Sequence, residues 1–269
     1  MKLYLAGIAG DKMRKHLMTA KSKRWLASFY PLESLGGIMA DMRLYDATVM
    51  LDSGAFSAWS QGLKIDREQY LKFLDKYGET FVVRANLDVI GSAEASLDNW
   101  EYLRKHKQDT FPVFHTRESY DMLEYYCQET GLIALGGMAG GTGNREYQTT
   151  HLDHCFSIIQ KYWPVRVHGF GITAPWALFR YPFYSVDSTT WLSSCRFGST
   201  LKWNKTRMTT TDTRMVGVAR RINAGQNVPL KTIRALDGDA RIINNIKMYL
   251  KIEKDVTETW AKRGISWDE

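Results

Sequence analysis

The chain has 269 residues, 44% of them hydrophobic and 24% charged, with a formal net charge of +7. That composition excludes a disordered chain, and the length suffices to bury a full core. No apolar stretch is long enough to span a bilayer, and three cysteines without paired spacing (Cys127, Cys155, Cys195) exclude a disulfide framework and point to a reducing cytoplasm.

In chain order, the first apolar run covers residues 3–8. It ends in Gly10-Asp11-Lys12, so it reads as a first strand in preference to a signal peptide. A second run lies at 48–51. Asp66, with Gln69 three residues on, opens a helical segment that stops before Gly78. Further apolar runs at 81–87, 111–114, 132–135, 165–170 and 183–186 alternate with helical periodicity at 92–106, 118–129 and 144–162. A candidate eighth strand lies near 199–203, and an amphipathic helix over about 240–262 closes the chain. Strand and helix in alternation predict a parallel sheet. The fold class expected is α/β, a (β/α)8 TIM-like barrel, with a doubly wound open sheet as the competitor. No linker or low-complexity tract interrupts the pattern, so residues 1–269 are expected to form a single domain, with 196–269 as a basic segment and closing helix.

The polar residues that terminate each run carry the chemistry. The runs end successively in Asp52-Ser53-Gly54, Asn86-Leu87-Asp88, His115-Thr116-Arg117, Gly136-Gly137-Met138, His168-Gly169-Phe170-Gly171 and Asp187-Ser188. In a parallel barrel all such ends line one face, where barrel enzymes place their reacting groups. Two carboxylates converging there, Asp52 and Asp187, are the minimum for attack at a sugar carbon with proton transfer to a base. Each alone also reads as a helix N-cap after a strand, and Asp88 as a turn residue. His168 reads equally as a satisfied core histidine. His151 and His154 have metal-compatible helical spacing, but with no further ligand nearby they read as a helix surface. Phe56 and Trp59 suit either base stacking or core anchoring.

The charge is concentrated. Arg196, Lys202, Lys205, Arg207, Arg214, Arg220, Arg221, Lys231 and Arg234 face only Asp212 between residues 196 and 234. Interleaved with Thr, Asn and Gly, they suit phosphate contact along a nucleic-acid backbone, against the plainer reading of solvated loops.

The ordered set Asp-Ser-Gly-Ala-Phe, Leu-Asp, Gly-Gly-Met-Ala, Gly-x-Gly and Val-Asp, running from about residue 48 to 191, resembles the queuine/archaeosine tRNA-guanine transglycosylases and their phage and bacterial DNA-modifying relatives. The resemblance implies a guanine-exchange pentosyltransferase without a cofactor. In it Asp187 is the nucleophile at C1′ and Asp52 the general acid/base. Asp88 accepts from the guanine N1–H and 2-amino edge. Phe56 stacks on the base, with Ser53 and Gly54 beside it. His168 lies against its opposite face, Gly136, Gly137 and Met138 let the backbone approach its 7-substituent, and Gly169 is a further substrate-binding position. His115 stands where the tRNA enzymes usually have Gln.

A second departure bears on the substrate. The tRNA enzymes carry a Cys-x-Cys-x-x-Cys plus His zinc site after the nucleophile; here only Cys195 comes after Asp187, and no His does. A structural zinc of that kind is therefore not expected. The compact form resembles the phage-type enzymes that insert 7-deazaguanines into DNA, which favours DNA over tRNA and, for a viral protein, the host cytoplasm. The alternatives are a tRNA enzyme of reduced form and a non-catalytic nucleic-acid-binding barrel. A homodimer or an accessory subunit is compatible with either; no membrane partner is expected.

Overall fold

The computed structural model describes residues 1–31, 34–138, 144–192, 199–212 and 238–267. Eight strands form one sheet: β1 (Lys2–Ala6), β2 (Arg24–Ser28), β3 (Thr48–Asp52), β4 (Val83–Arg84), β5 (Val113–His115), β6 (Leu132–Gly136), β7 (Arg166–Gly169) and β8 (Ser185–Ser188). Every pairing among them is parallel, in the order β4-β3-β2-β1-β8-β7-β6-β5. The two edge strands meet through a parallel bridge between Ala85 and Phe111, supported by Asn86 N–H donating to Phe111 O at 2.8 Å and Phe111 N–H to Arg84 O at 3.0 Å. The sheet thus closes on itself as a (β/α)8-type barrel.

Helices α1 (Asp11–Thr19), α2 (Leu35–Tyr45), α3 (Ala55–Ser60), α4 (Arg67–Tyr77), α5 (Ala93–Lys105), α6 (Tyr120–Glu129), α7 (Arg145–Ile159) and α8 (Pro175–Leu178) alternate with the strands. Their starts obey the sequence signals. Asp66 accepts from the N–H groups of Glu68 and Gln69, and Ser92, Ser119 and Asn144 cap α5, α6 and α7 in the same way. A last helix, α9 (Gly238–Lys262), packs against β1, where Glu253 accepts from the Leu3 N–H at 2.7 Å and from Arg24 at 2.9 Å.

The pleat explains the core. Alternate strand residues such as Leu3, Leu5, Trp25, Val49, Leu51, Phe114, Ile133, Leu135 and Val167 pack outward under the helices. Their neighbours Tyr4, Ala6, Leu26, Met50, Val113 and Ala134 fill the barrel interior as a separate cluster. Continuing that period of two puts Asp52 two residues after Met50, His115 two after Val113, and Gly136 two after Ala134, all on the inward side at the strand ends.

Two strand expectations require correction. Residues 24–28, Arg-Trp-Leu-Ala-Ser, form barrel strand β2, which the apolar-run pattern passes over. Ser199–Trp203 is not the eighth barrel strand. It is β9, paired antiparallel with β10 (Met208–Asp212) in a separate two-stranded sheet. Leu201 and Trp203 are buried while Lys202 between them is exposed, the alternation of a hairpin laid on the barrel's flank. It is held to α9 by Leu201 N–H donating to Asn245 Oδ1 (2.8 Å) and Trp203 Nε1–H to Asp255 Oδ2 (2.6 Å). Among the described residues, no helix is long and apolar enough to cross a membrane.

Candidate active site

The β3–α3 turn presents Asp52. Gly54 adopts φ +78°, and a Cβ there would lie 2.0 Å from the Tyr30 carbonyl oxygen, so only glycine lets the chain fold back this tightly. The turn brings the Gly54 N–H to Asp52 Oδ2 at 3.2 Å, and Ser28 Oγ donates to the same oxygen at 3.2 Å. These two donors do not offset the surroundings. Burial, and then repulsion from the carboxylates of Asp88 and Asp187, push the Asp52 pKa up to about 7. The three acids lie at or just beyond the C-terminal ends of the parallel strands β3, β4 and β8.

Asp187 sits on β8, in register with Tyr4 of β1, and is nearly enclosed. Its Oδ1 accepts from the Gly171 N–H at 2.8 Å. His168 lies beneath it, fully buried, with Nδ1 2.8 Å from Ser185 Oγ and Nε2 3.4 Å from Asp187 Oδ1, off the line of a hydrogen bond. Tyr4, Phe111 and Phe170 surround the imidazole. The expected contact of His168 with a base face is therefore corrected: the ring is walled off in the barrel core. Gly169 is corrected likewise. It turns outward, where a Cβ would meet Ile172 and Phe183 at 3.0 Å.

Asp88 comes just after β4 and belongs to a chain of side chains. Ser53 Oγ donates to Asp88 Oδ1 at 3.0 Å, and His115 Nε2 lies 2.9 Å from Asp88 Oδ2. On its other side His115 meets Glu118, whose Oε2 accepts the His115 backbone N–H at 3.0 Å while Oε1 lies 3.4 Å from Nδ1. Burial by itself lowers the His115 pKa, but the Asp88 carboxylate and the nearby Glu118 carboxylate reverse this and push it up to about 9. At neutral pH the ring is therefore a cation held between two carboxylates. Glu118 escapes sequence reading because an acid just before Ser119 looks like a helix-opening charge; its spacing of three from His115 is the available signal. Gly171 escapes as a donor because a backbone N–H leaves no mark in side-chain chemistry.

At the end of β6, Gly137 has φ +76°, and a Cβ would stand 2.8 Å from Thr116 Oγ1. Gly136 is buried against His115, and Met138 is buried beside a cavity of about 340 Å³ reached by Gly171, Thr173, Thr190, Trp176 and Met208. A second cavity of about 330 Å³, lined by Trp59, Leu63, Ile65, Leu87 and Val89, opens beside Asp88. Phe56 and Trp59 are not core anchors: they are 59% and 56% exposed, with ring centroids 5.8 Å apart on α3. His151 is not on a helix surface. It is buried, with Tyr120 Oη 3.0 Å from Nδ1 and Cys155 Sγ 3.5 Å from Nε2, and His154 stacks on Tyr120.

Of the basic residues, Lys202, Lys205 and Arg207 are exposed on the β9–β10 hairpin, whose Met208 borders the cavity beside Gly171. Arg196, Arg214, Arg220, Arg221, Lys231 and Arg234, like Cys195, lie outside the described residues.

No protein-family model matches this sequence, and no curated protein is similar to it. Among solved structures the chain is similar to tryptophan synthase from M. tuberculosis in an open form with BRD0059 bound, at 8% identity and a TM-score of 0.44, over 92% of this chain and 93% of that one. A likeness at that level carries no argument about activity.

Proposed function

We propose that this chain is a base-exchange transglycosylase that replaces guanine in DNA with a 7-deazaguanine through a covalent aspartyl-glycosyl intermediate. The observation that carries the reading is the pair Asp52 and Asp187: two strand-end carboxylates in one mouth, one with its pKa raised to about 7 and the other accepting a backbone N–H. A carboxyl that titrates near neutrality can both give and take a proton, which fits Asp52 to the acid/base role.

In this mechanism an Asp187 oxygen attacks C1′ of the target nucleotide. The C1′–N9 bond breaks, its electrons leave with the purine, and Asp52 supplies the proton that neutralises the departing base. A 7-deazaguanine then takes the vacated place. Asp52 removes its N9 proton, N9 attacks C1′, and the ester bond to Asp187 breaks. Two displacements leave the sugar with its original configuration, as in retaining glycosidases. No oxidant or cofactor enters the balance.

Asp88, oriented by Ser53 and by protonated His115, is suited to accept from the N1–H and 2-amino groups that distinguish guanine from adenine. Exposed Phe56 stands at the rim, where a base can stack. Lys202, Lys205 and Arg207 supply backbone contacts, and extrusion of the base from a duplex costs a few kcal/mol that such contacts must offset. DNA is preferred to tRNA because, of the residue types in the tRNA enzymes' zinc site, only the single Cys195 and no histidine follows Asp187 in this sequence. Incubation with labelled 7-deazaguanine and either duplex DNA or tRNA tests the reading. Label in DNA supports it; label confined to tRNA overturns the substrate, and label in neither overturns the reaction.

A further inference from the structure

The opposite end of the barrel holds a cavity of about 690 Å³, larger than either cavity at the catalytic mouth. It is bounded by the first residues of the strands, among them Lys2, Thr48, Val83, Leu132 and Arg166. Its lining carries five cationic side chains, Lys2, Lys23, Arg24, Arg84 and Arg166, against two carboxylates, Asp46 and Asp109. Three of the cations have counter-charges. Arg24 meets Glu253 at 2.9 Å, Arg84 meets Glu79 and Asp109 at 3.4 and 3.8 Å, and Lys23 meets Asp46 at 4.0 Å.

Lys2 and Arg166 do not. Among the described residues neither has a carboxylate partner, yet both are drawn onto one ring: Lys2 Nζ lies 5.0 Å and the Arg166 guanidinium 5.1 Å from the Tyr184 centroid. Two like charges gathered over one ring in a concave place repel one another unless an anion joins them. The neutral groups around them are donors. Lys2 Nζ donates to Tyr184 Oη at 3.0 Å, which leaves the Tyr184 proton free to donate onward. Tyr4, 3% exposed, lines the same cavity, and its hydroxyl makes no hydrogen bond among the described residues. Burial, and then the neighbouring Tyr184, raise the Tyr4 pKa to about 12, so it keeps its proton across the physiological range.

We propose that this N-terminal mouth is a second binding site, for the phosphate of a small phosphomonoester, with Lys2 and Arg166 as charged donors and the hydroxyls of Tyr4 and Tyr184 as neutral ones. A phosphate dianion balances both unpaired cations and offers enough oxygens for four donors. The volume leaves room for a sugar beyond it and falls in the range of small-molecule sites. A cavity of this volume enclosed by strand starts fits a free small molecule. The inference does not rest on the transglycosylase reading, since the two sites occupy opposite ends of the strands.

Calorimetric titration of the full chain at low salt with inorganic phosphate, and separately with ribose 5-phosphate, tests it. Saturable binding is expected, weakened at least tenfold by Arg166→Gln and by Lys2→Gln, and unchanged by Lys72→Gln, an exposed lysine on α4 outside both sites. Arg166 is exposed and Lys2 half-buried, so both variants should keep the wild-type Tm. Trp267 packs edge-on against Tyr184, ring centroids 5.7 Å apart, and Asp268 and Glu269 follow it in the sequence, so Asp268→Asn/Glu269→Gln is measured alongside. Absence of saturable binding to the wild type, equal loss in Lys72→Gln, or binding seen only after residues 268 and 269 are neutralised would each overturn the proposal.

Discussion

His115 Nε2 lies 2.9 Å from Asp88 Oδ2, with Glu118 on the far side of the ring and Ser53 on the far side of the carboxylate. A buried cation between two acids is stable only as a set; removing the cation leaves two carboxylates facing one another across a desolvated gap.

His115→Leu should therefore destabilise the fold by about 3 kcal/mol near pH 6. The raised pKa sets the direction with pH. A histidine at about 9 in the folded chain and 6.5 unfolded adds stability that is complete below pH 6.5 and is lost as pH rises through 9. Chemical denaturation of wild type and variant at several pH values measures it. A gap that stays constant from pH 6 to pH 10 contradicts the assignment of charge.

Asp52 changes stability in the same direction with pH, because its pKa is also raised. Its folded pKa of about 7 lies above the unfolded value of 3.8, so the carboxyl favours the fold when protonated, and that advantage disappears as pH rises from 4 to 7. Asp52→Asn should gain stability relative to wild type at pH 8, on the order of a few kcal/mol, with the gain absent at pH 4. Base exchange should be lost in the same variant. Equal stability differences at both pH values would show that Asp52 ionises as an ordinary surface acid.

Gly54→Ala forces a side chain onto the Tyr30 carbonyl and a left-handed φ onto alanine. A loss of about 1–3 kcal/mol is expected, with Asp52 displaced from Ser28 and exchange activity falling with it. An unchanged Tm contradicts the tightness of the β3–α3 turn.

Phe56→Ala separates stability from binding. Because the ring is 59% exposed, Tm should move little. Affinity for the base should fall by about 1–3 kcal/mol if stacking is its role. A large drop in Tm with no change in substrate binding would instead make Phe56 a structural residue.

The barrel is legible in the sequence because its strands are buried on both sides and end in abrupt polar turns. The strands carrying Asp52, His115, Gly136 and Asp187 stand out for that reason. β2 does not, because Arg-Trp-Leu-Ala-Ser opens on a charge and lacks β-branched residues; its Trp25 packs outward and stacks on Tyr45 of α2. β9 resembles a barrel strand because Leu201 and Trp203 supply apolar character; their alternation with Lys202 and Asn204 marks a surface hairpin. His168 shows the limit of motif reading. It lies one residue before Gly169 and three before Gly171, yet the pleat turns it into the core, and no sequence pattern distinguishes that from a ring facing substrate. The counter-charges on His115 are long-range or loop-borne, so its clamped state emerges only once β4 and β5 are brought together.

The most direct measurement is a trapping experiment. The protein is mixed with a guanine-containing DNA oligonucleotide in the absence of incoming base, denatured, and analysed by intact-mass spectrometry. An adduct of protein plus base-free oligonucleotide is expected, mapping to Asp187, present in wild type and absent in Asp187→Asn. An adduct that persists in Asp187→Asn, or no adduct under conditions where labelled base is exchanged into DNA, would contradict covalent catalysis by this carboxylate.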